Sequence, residues 1–357
     1  MISSRTIHIL ALAVFPCAWS GCAARLKAPP APEAATPQAS APAVPTRIAG
    51  GSHSIDLVRQ FLEHNQKPDG YFVTAYDFSS HRSSTSDDAI EQAGTLWGLA
   101  MLDRDQPTST AARALDGAAR FFLSNSRRVA GRGLIPYHKA RAKEETAIAA
   151  MLVLAHIERL ESTCGVLHRA NAQADFDGYL EFLVTLRRRD GRFHPGYARQ
   201  SYRGEGIPSP RHDGAGLLAL VRAARFTGRS DLHRLAMESS RAMRREYVEG
   251  APSHASGDER MRDFAPWALL AWHAIAASGW EGAADCERWG LDLARKMTAA
   301  PVPPEDALED WLRWGGAMVC ALDLARRAGD AAVAAALQAR IEQGLAEIGR
   351  ASCRERV

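Results

Sequence analysis

Carboxylates stand where several apolar helices of this sequence are predicted to begin, and this placement suits acid/base chemistry. Two carboxyl groups that face one cavity can cleave a glycosidic bond, one as general acid and the other as base or nucleophile. The catalytic candidates are Asp213, Glu91, Glu144 and Asp263. Our hypothesis pairs Asp213 with one of the other three. For each residue the alternative is helix capping, which contributes ~0.3–1 kcal/mol through the helix dipole.

Aromatic and polar residues near the same predicted helix ends are candidates for holding a sugar. The substrate-binding candidates are Tyr197, Tyr202, Arg203, His212, Trp97 and Asp310. Three of them lie in the connection from Gly191 to Pro210, which is long for a compact domain, and long ordered loops are often functional. A flexible surface excursion is the alternative for this connection. Trp97 lies in an apolar helix, where a tryptophan is more often part of the core than a sugar platform.

The elements that position these residues are predicted to be helices. From Ile55 onward apolar residues recur at helical spacing, and strict alternation of apolar and polar residues is nearly absent. We predict eleven helices, at Ile55–Gln66, Asp88–Leu102, Ser109–Asn125, Glu144–Leu160, Ala172–Arg188, Asp213–Thr227, Ser230–Arg245, Asp263–Ala277, Ala284–Met297, Leu308–Arg327 and Asp330–Ala346. The domain is therefore predicted to be all-α.

The chain contains an internal repeat with a period of 121 residues, counted from Phe61 to Phe182. In both copies an apolar helix runs into Asp-Gly and then reaches an aromatic residue, with Phe72 and Phe193 in the same register. Asp-Gly is a tight-turn signal, so Asp69 and Asp190 are interpreted as turn residues rather than catalysts. A period this long indicates that each repeat holds several helices.

The predicted helices alternate in character along the chain. The even-numbered ones, such as Glu144–Leu160, are apolar on nearly all faces, whereas the odd-numbered ones carry a charged face. An inner layer of buried helices inside an outer layer of amphipathic ones is an α/α toroid. Six pairs need twelve helices, and we expect the twelfth, an inner helix, to be missing from this sequence.

The segment with Gln66, Asp69-Gly70 and Phe72 resembles the glutamine-aromatic motif of toroids of the squalene cyclase and prenyltransferase type. In the second copy Arg187 takes the Gln position. Those cyclases protonate their substrate through Asp-x-Asp-Asp, but Thr85-Ser86-Asp87-Asp88 lacks the first Asp. A terpenoid cyclase is therefore the third hypothesis. The carboxylates and aromatic residues instead resemble the clefts of six-hairpin toroid glycosidases, epimerases and polysaccharide lyases, which implies a glycan substrate.

The N-terminal segment is typical of an exported protein. Residues 1–22 have a positive start and an apolar stretch, and Ser20-Gly21-Cys22 resembles a bacterial lipobox, which implies lipidation of Cys22. Ordinary signal cleavage near Ala23 is the alternative. Residues 23–49 are rich in Ala and Pro and are predicted to be an extended linker. We expect a protein of the bacterial cell envelope, anchored to the membrane by lipid and facing the periplasm or the cell surface.

The toroid domain is assigned to residues 50–346. Residues 347–357 match the translation of a common sequencing adapter, and we expect the natural chain to differ there. The domain cysteines Cys164, Cys286 and Cys320 are widely spaced, and no zinc-ligand spacing is present, so neither a metal nor another cofactor is predicted. A net charge of +3 without an aromatic-interleaved basic stripe does not favour nucleic acid as a partner.

The sequence therefore predicts an exported envelope protein whose toroid domain acts on or binds a glycan, by carboxylate acid/base catalysis in the enzymatic case. The alternative is a non-catalytic binding protein for a glycan or a protein partner. An enzyme would place two carboxyl groups with shifted pKa values in a deep cavity, whereas a binding protein would show only capped helix ends.

Overall fold

Apolar side chains at helical spacing form eleven α-helices in the part of the chain that the computed structural model describes, residues 51–73, 76–77, 82–83, 88–136, 143–162, 169–250, 255–299 and 308–354. The helices are α1 Gly51–His64, α2 Ala89–Asp105, α3 Ser109–Ser124, α4 Thr146–Glu161, α5 Arg169–Thr185, α6 Pro210–Thr227, α7 Ser230–Arg244, α8 Ala255–Ala276, α9 Ala283–Ala299, α10 Leu308–Arg327 and α11 Ala331–Arg354. A π-helical segment, Arg245–Glu249, extends α7.

The helices form two layers, as predicted. All residues of α4 are buried except Met151 and Glu161, because α4 packs against α2 and α6 on its sides and α5 on its back. In contrast, α7 buries one face and leaves the other charged. The even-numbered helices contact one another in chain order from α2 to α10, and the odd-numbered helices pack outside them. The α/α toroid prediction is confirmed.

The inner helices run parallel, so their N-terminal ends meet on one side of the ring. Arg104 in the last turn of α2 contacts Glu158 near the end of α4, and Glu158 accepts a hydrogen bond of 3.0 Å from Arg222 of α6. At the other end, Glu145 at the start of α4 contacts His212 in the first turn of α6. We call this second end the rim.

The Asp-Gly turns of the repeat connect an outer helix to the next inner one. Gly70 and Gly191 have φ values of +93° and +89°, a conformation that glycine adopts without strain. Each glycine packs closely on the following outer helix, Gly70 on Gly117 of α3 and Gly191 on Ala242 of α7. The close approach explains why the turn recurs in the same register.

Seven short strands accompany the helices among the described residues, all of them in connections. They are β1 Tyr76–Asp77, β2 Arg82–Ser83, β3 Ser126–Val129, β4 Gly133–Pro136, β5 Lys143–Glu145, β6 Gly196–Ala198 and β7 Gly204–Glu205. β6 and β7 form a hairpin in the Gly191–Pro210 connection, and β5 pairs with β6 to complete a three-stranded sheet. This connection is therefore held by backbone hydrogen bonds at the rim.

Two boundaries differ from the prediction by eight residues, and the others differ by at most four. α8 begins at Ala255, eight residues before the predicted start at Asp263, because the intervening polar segment still consists largely of residues that favour helix. α11 continues to Arg354, through most of the segment assigned to the adapter. The origin of that segment, and the missing twelfth helix, stay predictions. Every helix of the described part of the chain is too short or too polar to be a candidate membrane span.

Candidate functional site

The rim is the candidate site, because the N-terminal ends of α2, α4 and α6 place polar residues around one opening of the ring. The β5–β6–β7 sheet lies beside it and caps α4 with loop carbonyl groups. The N–H of Thr146 donates to the carbonyl of Pro195 at 3.0 Å, and the Thr146 hydroxyl donates to the carbonyl of His194 at 2.5 Å. The carbonyl groups of the loop therefore bind the first residue of α4, where no side chain caps the helix.

Asp213 lies at the rim but is fully buried. Its Oδ1 accepts from the N–H of Phe193 at 2.5 Å, and its Oδ2 accepts from the hydroxyl of Tyr247 at 2.5 Å and from Nε of Arg192 at 3.1 Å. Burial raises the pKa of this carboxyl group, against the lowering effect of the three donors. These contacts describe a positioning role for Asp213. Its predicted catalytic role stays untested.

Glu144 and Tyr197 face each other across the β5–β6 pairing and are also buried. Glu144 is 2% exposed and Tyr197 is 1% exposed. The Tyr197 hydroxyl donates to the carbonyl of Pro136 at 2.7 Å, and its ring packs edge-to-face on Phe182. Burial, together with the nearby Glu144 carboxylate, raises the pKa of Tyr197 well above its usual value. The Tyr197 ring is therefore a core contact rather than an open sugar platform in this structure.

Three side chains at the rim form a partly exposed chain of polar contacts. Nε2 of His212 lies 2.9 Å from Oε2 of Glu145, and Nδ1 of His212 lies 2.7 Å from Oγ of Ser209. The Glu145 side chain is 45% exposed and that of His212 is 15% exposed. The hydrogen bond from His212, its charge, and the charge of Arg211 lower the pKa of Glu145 against the opposing effects of burial and Asp88.

The contacts limit which nitrogen of His212 donates to Glu145. An ionised Glu145 only accepts hydrogen bonds, so Nε2 of His212 must be the donor. When the imidazole is neutral, Nδ1 has a free lone pair, which accepts the hydrogen of the Ser209 hydroxyl. The arrangement provides a base next to a hydroxyl group, with a carboxylate that holds the imidazole in place.

Trp97 stacks on Trp267 of α8, with ring centroids 6.4 Å apart and an interplanar angle of 18°. α4 and α6 separate α2 from α8 around the ring, so this pair crosses its interior. Trp97 is 5% exposed, and Trp267 packs against Gly214 of α6, one residue after Asp213. One face of the predicted Trp97 platform is therefore occupied by the second ring.

Tyr202 and Arg203 lie at the turn between β6 and β7. Tyr202 has a φ of +54°, and its hydroxyl accepts a hydrogen bond of 3.1 Å from Arg127 of β3. Arg132 donates to the Tyr202 carbonyl at 2.8 Å, which ties the turn to the β3–β4 hairpin. The side chain of Arg203 is exposed. Their role as sugar contacts stays a prediction.

The remaining candidates are spread more widely. Glu91 is half-buried in the first turn of α2, as predicted from its position. Asp263 is exposed about two turns inside α8, so its predicted place at a helix start is wrong. Asp310 lies in α10, and its side chain is outside the described residues. Cys22 and the predicted signal and linker segments are also outside them.

Three contributors to the rim were absent from the predicted site. Neither Glu145 nor Ser209 is among the predicted site residues, although Ser-Pro before an apolar run is a helix-start signal. Arg192 was missed because nothing in its local sequence indicates that it reaches Asp213.

Within the described ranges no group of three or more His, Cys, Asp or Glu residues could hold a metal ion. Cys286 and Cys320 are buried free thiols.

Known proteins resemble this chain in structure but not in sequence. No protein-family model matches the chain. A search of curated proteins finds no relative. The structure is similar to that of a D-mannose isomerase, with a TM-score of 0.61 and 10% identity over 83% of this chain and 87% of the other. It is also similar to a glycoside hydrolase family 76 mannosidase from Bacteroides thetaiotaomicron VPI-5482, with a TM-score of 0.53 and 11% identity over 80% and 83% of the two chains. At these identities the likeness establishes that this chain shares the α/α toroid fold with both proteins.

Proposed function

We propose that this chain is an exported, lipid-anchored protein of the bacterial envelope whose toroid domain acts on a glycan at the rim. The observation that carries the proposal is the His212–Glu145 pair, because it joins two titratable groups at 2.9 Å in a partly exposed position. Asp213 and Glu144 are buried, so Glu145 and His212 replace them as the acid/base pair in this proposal.

Two arguments favour a glycan as the ligand. The two similar structures are named as a mannose isomerase and a mannosidase, so mannose and mannosides are the first sugars to test. The ring also combines charged groups at its rim with aromatic residues in its interior, which suits a ligand that has hydroxyl groups and apolar ring faces.

A non-catalytic binding protein is the second candidate function. The engagement of Asp213 and the burial of Glu144 favour it, because two of the four carboxylates predicted to be catalytic form internal contacts. In that case His212 and Glu145 would orient a bound sugar without transferring protons.

The test uses the full chain and a matched pair of variants. His273 of α8 lies 2.8 Å from Asp323, with side-chain exposures of 12% and 44%, and so repeats the His212–Glu145 geometry at the opposite end of the ring. His212→Gln and His273→Gln therefore remove similar pairs, but only the first belongs to the rim. Thermal unfolding is measured with mannose, mannooligosaccharides, uronic-acid oligosaccharides and peptidoglycan fragments.

We expect one of these sugars to stabilise the wild type and His273→Gln but not His212→Gln. A sugar at about 100 times its Kd stabilises the folded state by about 2.7 kcal/mol, which gives a clear shift in Tm. Reducing-sugar release from mannooligosaccharides and ketose formation from mannose then separate the enzyme from the binding protein. The proposal is wrong if no sugar shifts the Tm, or if both variants keep the shift.

A further inference from the structure

We propose that Ser209 is a nucleophile and that the rim cleaves an ester on its ligand, with an O-acylated sugar as the substrate class. The inference deepens the proposed function, and its sugar part rests on that function. Three observations carry it. Two of these are the Ser209–His212 hydrogen bond of 2.7 Å and the His212–Glu145 hydrogen bond of 2.9 Å, and the third observation is the position of Ser209 at the N-terminal end of α6.

The Ser209 hydroxyl hydrogen-bonds to the imidazole of His212 instead of to a backbone N–H of the helix. Ser209 is the N-cap residue of α6, where a serine side chain normally accepts a hydrogen bond from a helix N–H. No such cap hydrogen bond forms here, and the hydroxyl pairs with Nδ1 of His212. This is the arrangement of an activated serine, with the two imidazole nitrogens exchanged relative to the common serine hydrolase triad.

The start of α6 also supplies donors for the negative charge that an attacked carbonyl develops. The first intrahelical hydrogen bond runs from the N–H of Asp213 to the carbonyl of Ser209. The N–H groups of Arg211 and His212 precede it and have no acceptor within the helix, and Pro210 has no N–H. They point toward the N-terminal end, where the helix dipole favours negative charge.

The steps of the reaction balance without a further reactant besides water. Oγ of Ser209 bonds to the acyl carbon while its proton moves to Nδ1 of His212, and Glu145 stabilises the imidazolium through Nε2–H. The bond between the acyl carbon and the sugar oxygen then breaks, and the sugar leaves as an alcohol with the proton from Nδ1. Water attacks the acyl group on Ser209, releases a carboxylic acid, and returns the proton to Ser209 through His212.

The surroundings of Ser209 favour an acyl ester over an unsubstituted sugar. Ile207 precedes Ser209 by two residues and is 89% exposed, the highest value among the exposed large hydrophobic residues of the described chain. An exposed apolar side chain two residues before the nucleophile offers the acyl group a contact that a sugar hydroxyl would not use.

The first test needs no variant. The full-length wild type is treated with a fluorophosphonate probe and digested with trypsin, and the adduct is located by mass spectrometry. The peptide from Gly204 to Arg211 contains Ser209 as its only serine, so an adduct there identifies the nucleophile. We expect labelling of this peptide. Labelling that is absent, or that lies only on other serines, overturns the inference.

The second test measures hydrolysis of p-nitrophenyl acetate and deacetylation of acetylated mannosides. Ser209→Ala and His212→Gln are expected to lower both rates by about 100-fold or more. Ser230→Ala, at the exposed start of α7, is the matched control and should keep both. Rates that persist in Ser209→Ala overturn the inference.

The two proposals fail in different measurements. Sugar-dependent stabilisation without labelling or ester cleavage supports the proposed function and overturns the role of Ser209. Labelling and ester cleavage without any sugar-dependent shift support the nucleophile and overturn the glycan ligand.

Discussion

The backbone N–H of Phe193 donates a hydrogen bond of 2.5 Å to the side chain of Asp213 in the first turn of the next inner helix. The same relationship joins Phe72 to Gln92, whose Oε1 accepts from the Phe72 N–H at 2.7 Å. Phe72 and Phe193, like Gln92 and Asp213, are 121 residues apart (72 to 193 and 92 to 213). Both copies of the repeat therefore contain the same hydrogen bond, from the backbone after the Asp-Gly turn to a side chain in the first turn of the next inner helix.

Asp213→Ala is expected to destabilise the domain strongly. The variant leaves the N–H of Phe193, the Tyr247 hydroxyl and the Arg192 guanidinium without their acceptor, and breaking a buried charge pair costs about 3–5 kcal/mol. Asp213→Asn keeps an acceptor for Phe193 and should lose less. Urea unfolding measures the change, and the exposed Asp263→Ala is the control, expected within about 0.5 kcal/mol of wild type. An unchanged stability in Asp213→Ala would contradict the positioning role.

Gln92→Glu is expected to make stability depend on pH. Gln92 is 1% exposed and donates from Nε2 to the Phe72 carbonyl at 2.7 Å, so an ionised Glu would face that carbonyl oxygen without a hydrogen. Burial raises the folded-state pKa of the introduced carboxyl group, and its protonated form can donate. The loss, about 1–3 kcal/mol at pH 8, should therefore shrink as the pH falls. Exposed Gln60→Glu is the control, and equal losses at pH 5 and pH 8 would refute this prediction.

Gly70→Ala and Gly131→Ala separate steric contact from backbone strain. Both glycines have positive φ, +93° and +70°, but an added Cβ at Gly70 would lie 2.1 Å from the Gly117 carbonyl oxygen, whereas at Gly131 it would meet nothing within 4 Å. Gly131→Ala should cost about 1 kcal/mol from the left-handed conformation alone. Gly70→Ala should cost at least about 2 kcal/mol more because α3 must move. Chemical denaturation compares them, and similar losses would argue against the close packing.

Glu145→Gln is expected to remove a small, pH-dependent contribution to stability. The pKa of Glu145 lies below its usual value of 4.5, so the ionised form stabilises the folded state at pH 7, and this contribution disappears as the pH falls below 4.5 toward the folded-state pKa. The carboxylate is 45% exposed, which limits the coupling with His212 to about 0.2–1 kcal/mol. A double-mutant cycle with His212→Gln at pH 7 and pH 4 measures it. An absence of coupling at pH 7 would contradict the contact.

Trp97 and Trp267 are expected to be coupled across the ring. Their stacked contact should give an interaction energy of about 0.5–1.5 kcal/mol in a double-mutant cycle with leucine substitutions. Trp280 packs on His233 outside this pair and serves as the control partner for Trp97, with coupling expected below about 0.5 kcal/mol. Additive effects of the Trp97 and Trp267 substitutions would show that the rings do not support each other.

The sequence by itself determined the layers of this protein and the register of its repeat. Buried helices such as α4 are apolar on all sides and outer helices such as α7 are apolar on one, so periodicity along the chain was enough to predict eleven helices and their alternation. The Asp-Gly turns were predictable because only glycine accepts their φ without strain.

Only the tertiary structure decided what the site residues do. Glu145 and His212 are 67 residues apart and meet because α4 and α6 are neighbours in the ring, a contact that no local pattern indicates. Asp213 and Glu145 both lie at the start of an inner helix. Folding buries Asp213 beneath Tyr247 and Arg192 but leaves the Glu145 side chain half-exposed. A carboxylate's role depends on which distant donors surround it and on its access to water, and both are properties of the packed ring.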